Sequence, residues 1–125
     1  MPNNSSGLVE PLGRGDVYEV NLDPVIGAEI GKTRPAVIIQ NDTGNVHSAI
    51  TIIAPISSVK SGFRMYPIMV LLHKGEGGLS EESFVHCGQI RSLDKTQRLV
   101  NKLGKLSKLK MREVDEALRI SLALK

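Results

Sequence analysis

Hydrophobic and polar positions alternate along Asp16–Leu22, with Tyr18, Val20 and Leu22 on one face and Val17, Glu19 and Asn21 on the other. That period predicts a strand. Ala36–Ile39, running on to Gln40, is a continuous apolar run rich in β-branched residues and predicts a second strand, buried on both sides. Between the two, Asp23-Pro24 starts a turn, and Gly27 and Gly31 let the backbone bend. The linker is therefore a Gly-rich loop. It ends at Arg34, which Pro35 biases towards an extended backbone at the strand entrance.

Asn41-Asp42-Thr43-Gly44-Asn45 is a dense cluster of turn residues. Ala49–Ile56 predicts a third strand, bent or ended at Pro55, and Ser57-Ser58 follow it. After a loop at Lys60–Arg64, Pro67–Leu72 predicts a fourth strand, and a long polar connection runs from His73 to Glu82. Phe84–Arg91 predicts a fifth strand with a bulge at Gly88. Asp94 suits the cap of a short helical turn, Lys95–Arg98, with an extended piece near Leu99–Leu106 beyond it. Ser107 then caps a helix in which Met111, Val114, Leu118 and Leu122 recur at steps of three and four, and Ala117, Ser121 and Leu124 widen the stripe. Short strands followed by one helix predict an α+β, mainly β fold, a small antiparallel barrel with a helix packed on it. No internal repeat and no second domain is evident.

Composition narrows the class. A chain of 125 residues is expected to form one compact domain, 14–125, behind a disordered tail or expression remnant at 1–13, where two Pro and two Gly interrupt a polar stretch. One cysteine allows no internal disulfide, which points to a reducing cytoplasm. No apolar run approaches a membrane span, and the N-terminus lacks signal-peptide character. Residues 91–112 hold eight Lys or Arg against the single acid Asp94, a balance of +7, while the rest of the chain carries −4. Such a segment suits a polyanion partner or, equally, a solvated helix face. Without Trp, and with two Tyr and two Phe, few rings are available to stack on bases.

Several motifs dissolve on inspection. Gly27–Thr33 has three residues between its glycines where a P-loop needs four, and a strand follows it where a P-loop has a helix. Arg14-Gly15-Asp16 is a chance tripeptide at a strand start. His86 and Cys87 are adjacent on a strand, so they face opposite sides, and neither they nor His73 make a metal site. Ser57 has no G-x-S-x-G elbow around it. What is left is Arg34 behind a Gly-rich loop, the hydroxyl pair Ser57-Ser58, Gln89 and Arg91 on one strand face, and the basic C-terminal third. A guanidinium fixed at a strand entrance suits a phosphate.

These residues sit within a longer pattern: R-G-D-V-Y (14–18), L-D-P-V-I-G-A-E (22–29), R-P-A-V-I-I-Q-N-D (34–42), A-P-I-S-S (54–58), Q-I-R-S-L-D-K (89–95) and E-A-L (116–118). In order and spacing, the chain from Arg14 to about Leu124 resembles the MazF/PemK family of toxin ribonucleases. The resemblance implies an SH3-like barrel, a homodimer, a cognate MazE-like antitoxin and sequence-selective cleavage of single-stranded RNA or mRNA, with no metal or other cofactor. It places the family's catalytic arginine on Arg34 and its partner hydroxyl, usually threonine, on Ser57. Glu29, Gly31, Lys32, Thr33, Asn41, Ser58, Gln89 and Arg91 are the RNA-binding residues it implies. The acid and base of the PemK-like branch fall on His86 and Gly88, so that scheme does not transfer whole.

The chemistry agrees with the residues. Without a metal hydroxide, the nucleophile is RNA's own 2′-hydroxyl, and a fixed guanidinium stabilises the charge that builds on the phosphate oxygens. The general base stays open among Glu29, His86 and water. The bases recognised depend on loops 24–33 and 59–65. Ile50, Ile52, Leu118 and Leu122 are expected at a dimer seam. The competing expectation is a non-catalytic toxin or binding module on the same scaffold, like the gyrase inhibitors of related fold.

Overall fold

The computed structural model describes residues 11–125. The expected tail falls largely outside the described residues. Among the described residues seven strands form one antiparallel sheet: β1 (Asp16–Asn21), β2 (Thr33–Ile38), β3 (Ile50–Ser58), β4 (Met69–Leu72), β5 (Ser83–His86), β6 (Arg91–Asp94) and β7 (Leu99–Lys105). The helices are α1 (Asp42–His47), the short α2 (Lys95–Arg98) and the C-terminal α3 (Lys108–Leu122). Neighbours in the sheet run β4-β5-β3-β2-β1-β7, with β6 also pairing with β3.

The nine-residue β3 is the spine. One edge pairs with β2; the other pairs with β6 through Ile50–Ile53 and with β5 through Ile56–Ser58. Of the bend or end expected at Pro55, the end does not occur, since β3 runs on to Ser58. Ile52 turns its carbonyl towards Ile39 of the β2 segment, so by alternation position 55 turns its nitrogen to the opposite edge. There the ladder is already interrupted between β6 and β5, and proline's missing N–H leaves no partner unsatisfied. The predicted fifth strand is divided by the same gap. Ser83–His86 and Arg91–Asp94 are separate strands, and Gly88 lies in the turn between them rather than in a bulge.

The sheet carries apolar clusters on both faces. Val17, Val37, Ala54, Ile56, Val70 and Val85 form one, with Val114 and Ala117 of α3 packed on it. Val20, Leu22, Ala36, Ile38, Ile53 and Leu93 form the other. This explains why Ala36–Ile38 are fully buried whichever way they point. Ser107 caps α3 by accepting from the Lys110 N–H, and Lys110 reaches back to the Leu71 carbonyl of edge strand β4 at 2.9 Å. Leu122 and Leu124, expected on the packed stripe, are instead 50% and 58% exposed; Leu122 is the last residue of α3, and Leu124 lies beyond its left-handed C-cap at Ala123.

The expected turn at Asn41–Asn45 is a helix start. Asn41 is the N-cap, its side chain accepting from Gly44 N, and buried Asn45 bonds Thr51 and the Gln40 carbonyl. Turn-forming residues and capping residues are the same types, so composition did not separate them. The barrel is also not closed by a ladder. A 3-10 turn at Glu76–Gly78 lies against β7 instead, where Gly78 and Gly104 pack backbone on backbone: a Cβ on Gly78 would meet the Leu103 oxygen at 2.0 Å. Among the described residues no helix is long and apolar enough to cross a membrane.

Candidate active site

Arg34 and Ser57 meet as cross-strand neighbours. Ala36 pairs with Pro55, and continuing that antiparallel register by two residues sets Arg34 opposite Ser57. The Arg34 Nη1–H donates to Ser57 Oγ at 2.9 Å, and its Nε–H donates to the Gly31 carbonyl at 2.8 Å. The guanidinium is thus fixed from the strand on one side and the loop on the other. It remains half-buried, so an anion can still approach it.

The loop from Leu22 to Lys32 is held by side chains distant in sequence. Gln89 accepts from the Ile30 N–H at 2.8 Å and donates to the Ala28 carbonyl. Arg91 donates to the Leu22 carbonyl at 2.8 Å, and Arg98 to the carbonyls of Asn21 and Asp23. Within the loop, Asp23 accepts from the Lys32 N–H and Glu29 from the Ile26 N–H. Gln89 and Arg91, expected to meet RNA, spend these polar atoms on the loop. Arg98 and Asp23 were not foreseen, since carbonyl partners leave no signature in composition.

The other expected residues divide. Lys32 and Thr33 are exposed beside Arg34, and Gly31 supplies the carbonyl that holds it. Glu29 lines a hollow of about 550 Å³ with Ala28, Ile30, Gln89 and Arg91. A second hollow of about 530 Å³ is lined in part by Arg34, Ser57, Ser58, Lys60, Glu19 and Glu81. Asn41 is not part of the group: it lies beyond the far end of β2, seven residues from Arg34, and its side chain caps α1. His86 is half-exposed, and its Nδ1 accepts from the Gly88 N–H. Cys87 is fully buried in the α3-side cluster, and burial, helped by Asp115, raises its thiol pKa to about 11. Among the described residues no three His, Cys, Asp or Glu side chains are grouped to hold a metal.

Nor is the basic segment a single patch. Five of its eight cations reach inward: Arg91, Lys95, Arg98 and Lys110 to backbone carbonyls, and Lys102 to Asp16. Its charge is largely spent within the fold, with Arg91 and Arg98 on the loop and the other three elsewhere.

With that geometry in place, comparison with known proteins is decisive. A family model described as PemK-like, MazF-like toxin of type II toxin–antitoxin systems matches residues 13–122. The chain belongs to this family. Solved MazF-type structures share its fold. MazF from Deinococcus radiodurans is 25% identical, with a TM-score of 0.78 over 92% of this chain and 99% of that one. An endoribonuclease from a mycobacterial species is 23% identical, with a TM-score of 0.74 over 94% and 97%. A mycobacterial endoribonuclease in complex with its cognate antitoxin is 24% identical, with a TM-score of 0.75 over 91% and 97%. The fold is thus the MazF-like one, mainly antiparallel β with a C-terminal helix, and its sheet is left open at one seam.

Proposed function

We propose that this MazF/PemK-family chain is a sequence-selective endoribonuclease toxin that cuts single-stranded RNA through the RNA's own 2′-hydroxyl, with Arg34 and Ser57 as its catalytic pair. The observation that carries the reading is the 2.9 Å hydrogen bond joining Arg34 to Ser57 at the mouth of a Gly-rich loop. In the proposed step the 2′-oxygen attacks the adjacent phosphorus and the bond to the 5′-oxygen breaks. The 2′-hydroxyl gives up its proton and the departing 5′-oxygen takes one. The products are a 2′,3′-cyclic phosphate, or the 3′-phosphate it hydrolyses to, and a 5′-hydroxyl.

Arg34 acts electrostatically, because a guanidinium keeps its proton at any working pH. Its charge meets the oxygens where negative charge grows, and its two hydrogen bonds hold it there before reaction. Ser57 keeps the hydroxyl of the family's threonine and lacks the methyl that restricts its rotamer. Exposed Lys32 and Lys60 offer further cations to the RNA backbone.

The experiment is incubation of purified protein with a long single-stranded RNA, followed by end analysis of the fragments. Cyclic or 3′-phosphate ends and 5′-hydroxyl ends are expected, with no cut at a position carrying 2′-deoxyribose. Cutting at that position would refute the internal nucleophile. We further propose a two-fold dimer whose partner antitoxin lays an acidic, extended segment over the RNA site. The solved structures of MazE–MazF from Deinococcus radiodurans and of the mycobacterial endoribonuclease with its cognate antitoxin support such a partner.

A further inference from the structure

The chain has two phenylalanines, and neither belongs to either hydrophobic cluster. Phe84 lies in β5 directly opposite Ser57. Phe63 comes from the β3–β4 loop to pack on it, with ring centroids 4.7 Å apart and planes tilted by 38°. The His86 ring stands 6.2 Å from Phe84, two residues along the same strand face. Cross-strand partners project to one face of a sheet. Phe84 therefore shares the face of Ser57 and of the Arg34 guanidinium bonded to it. Phe63 and Phe84 are both half-buried, so neither residue is withdrawn from water.

A domain so poor in aromatic residues forgoes apolar burial by keeping both phenylalanines out of its cores. Their position supplies a reason. A phosphate held at Arg34 and Ser57 brings its attached nucleotides over the neighbouring strand, and that strand presents an aromatic surface. Every base has a π-face, so such a surface binds without reading hydrogen bonds. Exposed Lys60 and Arg64 flank Phe63 in the same loop and can take the backbone on either side.

We propose that Phe63 and Phe84 form a stacking shelf for a nucleobase next to the phosphate held by Arg34 and Ser57, an inference that rests on the ribonuclease reading above. The shelf positions the strand, and Arg34 and Ser57 act on it.

Two measurements test this. Because the chain has no tryptophan, Phe84→Trp puts its one tryptophan on the shelf, where it can be excited apart from the two tyrosines. Single-stranded 2′-O-methyl RNA, which cannot be cut, should quench that fluorescence, and the same strand without bases should not. Binding seen by anisotropy without quenching would overturn the shelf. This titration reads binding alone, so it stands even if the wild type cuts no RNA, the outcome that would fail the ribonuclease reading. Second, Phe63→Leu and Phe84→Leu, which stay apolar but remove the ring, should each raise KM for RNA about tenfold while kcat stays within about twofold. Unchanged KM in both variants, with melting temperatures near wild type, would refute the proposal.

Discussion

Arg34 uses one guanidinium nitrogen on the loop and another on the strand, which sets what can replace it. Arg34→Ala should lower kcat about a hundred- to a thousandfold, the size expected for losing a preorganised donor at the developing charge. Arg34→Lys should recover little, because an ammonium cannot span Gly31 and Ser57 in one plane. Circular dichroism should stay native for both; near-normal cleavage would refute the site. Ser57→Thr should hold or raise the rate and Ser57→Ala lower it about tenfold, whereas a dead threonine variant would exclude a shared hydroxyl role. Elsewhere, Cys87 gives a pH signature. Its pKa is about 11 in the fold against 9.0 unfolded, so its protonated thiol favours the fold fully below pH 9. That contribution, about 2–3 kcal/mol, is lost as pH rises through 11. Urea midpoints should fall over this window in the wild type and fall less in Cys87→Ala.

At the level of elements, the loop that carries Gly31 is a product of the C-terminal half. Gln89, Arg91 and Arg98 clamp its carbonyls and one N–H, so Gln89→Ala should lower activity more than stability, read as a fall in kcat/KM with a melting temperature within a few degrees. Asp94 caps α2 by accepting from the Thr96 hydroxyl and from the N–H groups of Gln97 and Thr96, which holds its carboxyl below the usual range, and Asp94→Ala should lower the midpoint of denaturant unfolding. Local periodicity made β1, β2, α2 and α3 legible in the sequence, because their apolar spacing and caps are near neighbours. It failed at Asn41–Asn45, where one residue vocabulary serves both turns and helix caps. It failed again at 84–91, where one apolar run feeds two strands. Only the long β3 and the placement of Pro55 show why that run must break.

For the whole molecule, the proposed site is legible in the sequence as two residues and not as a surface. Arg34 and Ser57 could be named from the family pattern. That they touch follows from the β2–β3 register, and the loop's dependence on Arg91 and Arg98 follows from contacts across the chain that no window of sequence contains. Of the expected seam residues, Ile50 and Leu122 are 40% and 50% exposed, leaving apolar surface for the proposed second copy, whereas Ile52 is half-buried and Leu118 packs against the α3-side core. Light scattering should give a dimer at micromolar concentration, since an obligate isologous interface buries too much surface to part there. A stable, active monomer would refute it.

The unladdered seam of the barrel has a consequence of another kind. Hydrogen bonds restrict a closed barrel to discrete girths, fixed by strand number and stagger. Here the Gly77–Gly78 backbone simply rests on Leu103–Gly104, so girth is set by how closely two backbones can lie. Gly78 has a φ of +78° and no room for a methyl, so Gly78→Ala should cost roughly 3 kcal/mol or more. The circumference of this toxin is thus gauged by the absence of side chains, and any atom added at that contact must widen the hoop.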